Sequence, residues 1–331
     1  MQVKKQTKIT VETQIKMQEG KGMYIFGVDV GGTTVKMGLF DGEGNVLDKW
    51  EIVTRKENNG ENVLPDIAKA IEDKLAEKNI SKSEVAGVGV GVPGPVDTKG
   101  IVHKCANLGW GLVNVNETLG DMLGLNVKAG NDANVAALGE MWRGGGKGYE
   151  NIVMVTLGTG VGGGVIVDGN ILTGAGGAGG EIGHIHVQDD EAEPCGCGNH
   201  GCLEQYASAT GVVRLAKRAL AKTDQASVLR NGELSAKSVW DAVKEKDGVA
   251  LQVAEQFGKY LGEGLASIAA VVNPQAFVIG GGVSKAGEVL LEYIKKYYMP
   301  VVFHSDRDVV FAMAELGNDA GIYGAAKLAA E

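Results

Sequence analysis

The chain has 331 residues, of which 44% are hydrophobic and 22% charged, a composition that predicts two ordinary globular domains with sizeable cores. Its formal net charge of −9 argues against a basic nucleic-acid-binding surface. The four cysteines are too few for a disulfide framework and fit a reducing compartment, so we expect a cytoplasmic protein without a nucleic-acid partner.

Neither export nor membrane insertion is predicted. Residues 1–22 are interpreted as a polar N-terminal extension, because they lack the apolar core of a secretory signal. The longest apolar stretch, Leu265 to Val283, is interrupted by Asn273, Pro274 and three glycines. It is therefore not expected to form a membrane-spanning helix.

The first half of the chain opens with a predicted meander of three strands. In chain order, the pattern predicts a strand at Tyr24–Val30, a turn at Gly31–Thr34, strands at Val35–Phe40 and Val46–Val53, a helix from Val63 to Leu75, and a strand from Val85 to Val92. Short strands followed by alternating helices and strands are typical of an α/β domain.

The second half repeats this order. It is predicted to contain a strand at Ile152–Leu157, a glycine loop at Gly158–Gly164, a strand at Val165–Val167, helices near residues 203–221, 235–245, 249–272 and 319–330, and a strand at Ala276–Gly280. The repetition predicts two α/β lobes with a ligand-binding cleft between them. We place one lobe at residues 23–135 with 318–331, and the other at residues 136–317.

Two glycine turns are candidates for holding phosphate. Asp29 ends a strand, and the segment Gly31–Thr34 adds bare backbone amides and two hydroxyls, which suit a phosphate and a metal ion. An ordinary hairpin turn is the plain alternative. Because Gly158–Gly164 repeats the feature, a polyphosphate held by both turns is favoured. This loop also contains G-x-G-x-x-G, but a strand follows it, which argues against a nicotinamide site.

Two further segments are ambiguous on local sequence alone. The glycines at Gly280–Gly282 either let a nucleotide lie against the backbone or form a tight packing turn. Asp132 follows an extended segment and precedes a helix, so it is either a general base or a helix N-cap.

A cysteine knuckle predicts a metal site. Cys195, Cys197 and Cys202 lie close together among glycines, and three thiolates with one imidazole form a typical zinc site. The fourth ligand is His184, His186 or His200, of which we adopt His184. The flanking acids Glu181 and Glu204 are candidates for binding hydroxyl groups, or plain surface acids.

Together these motifs resemble the ROK family of sugar kinases, and within it the bacterial glucokinases. The resemblance covers the chain from about Tyr24 onward and rests on Asp29–Thr34, Val92–Asp97, Asn107–Trp110, Asn131–Asn134, Leu157–Gly164, Glu181–His184 and the cysteine knuckle. It implies an α/β, two-lobed fold like that of actin, hexokinase and the Hsp70 ATPase, with duplicated ribonuclease H-like domains and a zinc knuckle at residues 184–204. It also implies ATP-dependent phosphorylation of a hexose at its 6-hydroxyl.

The resemblance assigns a role to each candidate. Asp132 is implied as the catalytic base, and Asp29 as the acid that positions Mg²⁺. The implied sugar contacts are Gly94, Asn107, Asn131, Asp132, Glu181, His184 and Glu204. The implied ATP contacts are Asp29, Gly31, Gly32, Thr33, Thr34, Lys36, Gly158, Thr159, Gly160, Gly281 and Gly282. The implied ligands of a structural Zn²⁺ are His184, Cys195, Cys197 and Cys202.

Glucose and ATP are the expected substrates, and a homodimer is expected by resemblance alone. The segment Asn107–Trp110 resembles the glucokinase version, which favours glucose over N-acetylmannosamine, mannose or fructose. ROK repressors carry a helix-turn-helix domain ahead of the kinase-like part, and 22 residues are too few for one. A sugar sensor without catalytic activity is the remaining alternative.

Overall fold

A computed structural model describes residues 23–331, so the extension predicted at residues 1–22 lies outside the described part of the chain. The chain divides into two units by its internal contacts. The first comprises the described residues up to Arg143, together with Thr173–Gly179 and Asn318–Glu331. The second comprises Gly144–Leu172 and Gly180–Gly317.

The first unit is built on a five-stranded sheet. Its strands are β1 (Tyr24–Val30), β2 (Thr34–Phe40), β3 (Val46–Val53), β4 (Val85–Val92) and β7 (Val127–Asn131), in the order β3-β2-β1-β4-β7. A small separate hairpin consists of β5 (Ile101–Val102) and β6 (Val113–Asn114). β1, β2 and β3 pair antiparallel, whereas β1, β4 and β7 run parallel. The carboxyl ends of these three parallel strands therefore share one edge of the sheet.

The helices of the first unit are α1 (Val63–Lys78), α2 (Val115–Leu123), α3 (Asp132–Arg143) and α8 (Ala320–Ala330), with a short helical turn at Glu57–Gly60. In α1 the apolar positions at helical spacing are buried, as the sequence predicts.

The second unit repeats the strand order of the first. Its sheet has the order β10-β9-β8-β11-β12, with strands β8 (Ile152–Leu157), β9 (Val161–Val167), β10 (Asn170–Ile171), β11 (Ala276–Gly280) and β12 (Val310–Met313). β8, β9 and β10 pair antiparallel, and β8, β11 and β12 run parallel. This matching topology agrees with the duplicated α/β fold expected from the sequence.

The helices of the second unit are α4 (Ala209–Ala221), α5 (Ala236–Lys244), α6 (Gly248–Val272) and α7 (Glu288–Tyr298), with a short turn at Glu204–Ala207. A single helix predicted over residues 203–221 is wrong, because the chain is extended at Ser208. The Ser208 hydroxyl accepts a hydrogen bond from the Gly211 N–H at 2.9 Å and so caps a new helix.

The strand predicted at Val165–Val167 is longer than expected, because β9 already begins at Val161. The glycines that suggested a loop pair with β8 along its length. One of them, Gly163, has a packing reason: a methyl group there would lie 2.6 Å from the carbonyl oxygen of Gly180. The glycine turn itself is therefore limited to Gly158–Gly160.

Glycines let α8 lie directly against the sheet of the first unit. A methyl group added at Gly89 on β4 would lie 1.7 Å from the carbonyl oxygen of Ala325, and one at Gly27 on β1 would lie 2.0 Å from that of Ile322. At Gly324 the same addition would meet the carbonyl oxygen of Val135 in α3 at 1.7 Å. Backbone therefore packs on backbone, and a single side-chain carbon would force the elements apart.

Across residues 23–331 the structure has no helix that combines the length and the apolar character needed to cross a membrane.

Replacing Gly89 by alanine tests this packing. We expect Gly89→Ala to lower the thermal unfolding midpoint by several degrees or to prevent folding, because overpacking of this kind costs on the order of 1–3 kcal/mol or more. Gly111→Ala is the matched control, since a methyl group at Gly111 has no neighbour within 4 Å among the residues described. Equal midpoints for the two variants, measured by circular dichroism, would contradict the packing argument.

Candidate active site

Asp29 is a half-buried acid near the carboxyl end of β1. It lies opposite Lys36 of β2 in the strand register. Burial raises the pKa of Asp29 to about 6, the charge of Lys36 opposes this rise, and the charge of Asp132 adds to it. A methyl group at Gly321 of α8 would lie 2.5 Å from the carboxylate carbon. A cation bound beside this acid would stabilise its charged form, so Asp29 is suited to position a metal ion.

The turn Gly31–Thr34 connects β1 to β2. The Gly31 N–H donates to the Thr34 carbonyl oxygen at 3.0 Å. A methyl group at Gly31 would lie 2.8 Å from that oxygen, so glycine is required there by the turn. A methyl group at Gly32 would have no neighbour within 4 Å among residues 23–331. These residues give no steric reason for glycine at this second position, so they leave the backbone there open to a ligand.

The second glycine turn, Gly158–Gly160, connects β8 to β9. The Gly158 N–H donates to the Gly160 carbonyl oxygen at 3.0 Å. The start of α4 holds the turn from outside, because the Thr210 hydroxyl donates to the Thr159 carbonyl oxygen at 2.7 Å. The Ala209 N–H donates to the Gly158 carbonyl oxygen at 2.8 Å.

The glycines after β11 serve two purposes. Gly281 has a φ of 85°, and a methyl group there would lie 2.5 Å from the carbonyl oxygen of Leu157. The tight packing turn, one of the two interpretations of this segment, therefore explains the glycine at position 281. A methyl group at Gly282 would have no neighbour within 4 Å in the part of the chain that the structure describes, so this position is open to a ligand, as Gly32 is.

Asp132 begins α3 directly after Asn131, the last residue of β7. The Asn131 side chain accepts a hydrogen bond from the Asn134 N–H at 3.1 Å, and so performs the capping that the sequence left open for Asp132. One Asp132 oxygen, Oδ1, accepts hydrogen bonds from the Ala133 N–H at 2.8 Å and from the Asn131 side-chain amide at 3.0 Å. These bonds fix the orientation of the carboxylate.

The same asparagine connects Asp132 to Gly94. The Asn131 side-chain amide donates to the Gly94 carbonyl oxygen at 3.1 Å. Gly94 has a φ of 96°, and a methyl group there would lie 2.7 Å from the Lys104 carbonyl oxygen, so glycine is needed. Asn107 lies exposed in a nearby loop, which Cys105 and Trp110 close by pairing with each other. Gly94, Asn131 and Asp132 thus form one connected group in the first unit.

The cysteine knuckle brings four potential metal ligands together in the second unit. The ligand atoms of His184, Cys195, Cys197 and Cys202 all lie within 4.8 Å of one another. The Cys197 and Cys202 sulfurs are 3.7 Å apart, and the Cys195 sulfur lies 3.7 Å from His184 Nδ1. Neighbouring ligand atoms of tetrahedral zinc, with bonds of about 2.3 Å, are roughly 3.8 Å apart. The donor set and its spacing fit zinc.

His186, the rival ligand, is engaged elsewhere. Its Nδ1 lies 3.0 Å from the His200 carbonyl oxygen, and its Nε2 lies 2.9 Å from an Asp189 carboxylate oxygen. His200 Nδ1 in turn lies 2.8 Å from the Glu191 carbonyl oxygen. The structure thus brings His184 to the three cysteines and directs the other two imidazoles to backbone or acid partners.

The two acids that flank the knuckle have different surroundings. Glu181 is exposed and precedes the short turn Ile182–His184. Glu204 accepts a hydrogen bond from the Cys195 thiol at 3.0 Å, and its other oxygen lies 3.4 Å from the Val161 N–H. A methyl group at Gly160 would lie 2.4 Å from that second oxygen. Glu204 therefore connects the knuckle to the glycine turn.

Three residues with no role assigned from the sequence support the site. Thr54 bonds to the first glycine turn, and Thr210 to the second. Asn134 is buried and donates to the Gly179 carbonyl oxygen at 3.4 Å. The contact of Thr54 depends on the pairing of β2 with β3, and that of Thr210 depends on the helix break at Ser208. Neither contact can be predicted without knowing these features.

The chain is similar to known proteins over most of its length. The sequence model of the ROK family matches residues 25–331. A glucokinase of Halalkalibacterium halodurans is 43% identical over 304 residues, which cover 90% of this chain and 92% of the relative. An N-acetylgalactosamine kinase of a Shewanella species is 30% identical, over 92% of this chain and 96% of its own length.

The solved structures include a ROK family glucokinase from Streptomyces griseus in complex with glucose and AMPPNP. It matches with a TM-score of 0.69 and 34% identity, over 92% of this chain and 98% of that one. The two-unit α/β fold is therefore shared with a structure of this family.

Separate replacement of the two histidines tests the metal site. We expect His184→Ala to lose most of its bound zinc, because one of four ligands is removed, and His186→Ala to keep about one equivalent. Zinc per chain is measured by mass spectrometry of the purified protein after dialysis. The reverse pattern, with zinc lost only from His186→Ala, would contradict the assignment of His184.

Proposed function

This chain belongs to the ROK family, and from that premise we propose that it is an ATP-dependent glucokinase, which transfers the terminal phosphoryl group of ATP to the 6-hydroxyl of glucose. The observation that carries the proposal is the placement of two acids, Asp29 and Asp132, at the carboxyl ends of the parallel strands β1 and β7. Ligands of open α/β sheets bind at this edge. The similarity to glucokinases supports glucose as the substrate.

Asp132 is the proposed general base. Asn131 and the start of α3 hold one carboxylate oxygen, so the group is oriented before the sugar binds. To act, it must lie within hydrogen-bond reach of the 6-hydroxyl and accept its proton as that oxygen attacks phosphorus. Phosphoryl transfer needs mainly positioning and charge stabilisation, which a fixed carboxylate and fixed backbone amides supply.

The nucleotide contacts are proposed for each unit by itself. In the first unit, Asp29 positions Mg²⁺, Lys36 lies beside it, and the turn from Gly31 to Thr34 offers N–H groups to a phosphate. In the second unit, Gly158–Gly160 offers N–H groups in the same way, and Gly281 and Gly282 lie against the nucleotide. A bound magnesium ion would neutralise part of the charge on the phosphates.

The sugar contacts proposed for the first unit are Gly94, Asn107, Asn131 and Asp132. Those proposed for the second unit are Glu181, His184 and Glu204. Amide, carboxylate and imidazole groups of this kind both donate to and accept from hydroxyl groups, as a sugar requires.

Zinc has a structural role in this proposal. Burial raises the pKa of the Cys195 thiol to about 12, and coordination to a cation would ionise it. His184 directs Nδ1 to the cysteine sulfurs, which leaves Nε2 to face a sugar hydroxyl. We assign the protein to the reducing cytoplasm, because these thiols must stay reduced to bind zinc. We also propose that the protein is a homodimer.

A sugar panel tests the proposed function. Purified protein is given ATP, Mg²⁺ and one of glucose, mannose, fructose, N-acetylmannosamine or N-acetylgalactosamine, and ADP formation is followed. We expect kcat/KM for glucose to exceed that for every other sugar by at least roughly tenfold. A higher value for an amino sugar would support the second candidate, an amino-sugar kinase. The absence of turnover on all of them would favour a sugar sensor.

Replacement of Asp132 separates catalysis from binding. We expect Asp132→Asn to lower kcat by roughly 10²–10⁴-fold, because the proton acceptor is lost, while glucose still binds. Calorimetry with glucose and a coupled kinase assay measure the two effects. Asp121→Asn, a change on the exposed surface of α2, is the control. Full activity of Asp132→Asn would remove Asp132 from the mechanism.

A further inference from the structure

Thr54 supports the first glycine turn from behind. It directly follows β3, and its residue surface is only 5% exposed. Its N–H donates to the Thr33 carbonyl oxygen at 2.9 Å, and its hydroxyl donates to the Gly31 carbonyl oxygen at 2.7 Å. One residue just after a neighbouring strand therefore holds two carbonyl groups of the same turn.

These two bonds also determine where two N–H groups point. A trans peptide unit is planar, and its N–H lies opposite its C=O. Because the carbonyls of Gly31 and Thr33 face Thr54, the N–H groups of Gly32 and Thr34 point away from it. Neither of these N–H groups donates to a backbone carbonyl within residues 23–331.

The open side of the turn has the properties of an anion site. Two N–H groups point to the same side, and successive backbone N–H groups of this kind form concave sites for anions. A methyl group at Gly32 would meet no atom of the described part of the chain within 4 Å, so this side has room for a ligand close to the backbone. The side facing Thr54, by contrast, is buried.

The hydroxyl bond is not a by-product of sheet pairing. The bond from the Thr54 N–H extends the ladder between β2 and β3, and any residue except proline would supply it. The bond from the hydroxyl reaches Gly31, beyond the paired residues, and needs a serine or threonine. Valine has the same shape but lacks the donor, so it isolates the role of the hydroxyl.

We propose that Thr54 is a positioning residue for phosphate: its hydroxyl orients the turn so that the N–H groups of Gly32 and Thr34 bind a phosphate of the nucleotide. This inference rests on the proposed ATP-dependent function and adds a specific residue to it. Thr54 itself does not touch the nucleotide. The hydroxyl acts only through the orientation of the Gly31 peptide group.

The test compares Thr54→Val with Thr54→Ser. We expect Thr54→Val to raise KM for ATP, and Kd for the analogue AMPPNP, by roughly tenfold, because one buried hydrogen bond that orients the site is lost. Thr54→Ser keeps the donor, and its values are expected to stay within about twofold of wild type. Glucose affinity without nucleotide, measured by calorimetry, is expected to be unchanged in both. Thr118→Val, on the exposed surface of α2, is the matched control.

A purely structural role would give a different result. In that case Thr54→Val would lower the thermal unfolding midpoint and leave the nucleotide constants at their wild-type values, which would overturn the proposal. If Thr54→Val does not fold, the AMPPNP affinity of Gly32→Ala is measured instead. The added methyl group enters the open side of the turn, where the phosphate is proposed to bind. Unchanged AMPPNP affinity in Gly32→Ala would likewise overturn the proposal.

The AMPPNP measurement also separates this inference from the proposed function. A wild-type protein that binds AMPPNP but phosphorylates no sugar would disprove the kinase proposal, while the Thr54 variants would still decide the phosphate site by binding alone.

Discussion

The contact of α8 with the sheet of the first unit is the constraint on which the arrangement of the acids depends. Gly27 and Gly89 let the helix backbone touch β1 and β4, and Gly324 lets it touch α3 as well. Asp29 lies on β1 and Asp132 begins α3, so both acids belong to elements that α8 holds together. The same helix approaches the Asp29 carboxylate at Gly321, which covers part of it. The raised pKa of Asp29 is thus a result of packing.

The two units use one strand order for different chemistry. Each has a meander of antiparallel strands, a glycine turn after the first strand, and a threonine that bonds to that turn from outside. The first unit adds the acids at its sheet edge. The second unit adds the cysteine knuckle, which Glu204 links to the glycine turn. A repeated scaffold therefore presents the same kind of glycine turn twice, whereas the segments added to it differ between the units.

Much of this could be predicted from the sequence, and the failures have physical causes. β1 and β8 were predictable because they consist mainly of apolar residues and are followed by glycines. The start of β9 at Val161 was not, because glycines in a strand look like a loop unless the neighbour that requires them is known. The break at Ser208 was hidden because its flanks both have helical patterns. His184 and His186 are alternatives by spacing, and they are distinguished only by their positions in the fold: His184 lies among the cysteine sulfurs, whereas His186 contacts His200 and Asp189. Thr54 has no local signal, since its role comes from strand pairing.

The discontinuous make-up of the first unit has a consequence for biosynthesis. The ribosome produces β1–β4, β7 and α3 early, but it produces α8 only after the whole of the second unit. Until α8 is made, the glycine-lined faces of β1, β4 and α3 lack the helix that covers them. The second unit, by contrast, is fully translated before α8 is. The first unit therefore remains incomplete while the second unit is synthesised. Intermediates of this kind expose apolar surface, which chaperones protect from aggregation.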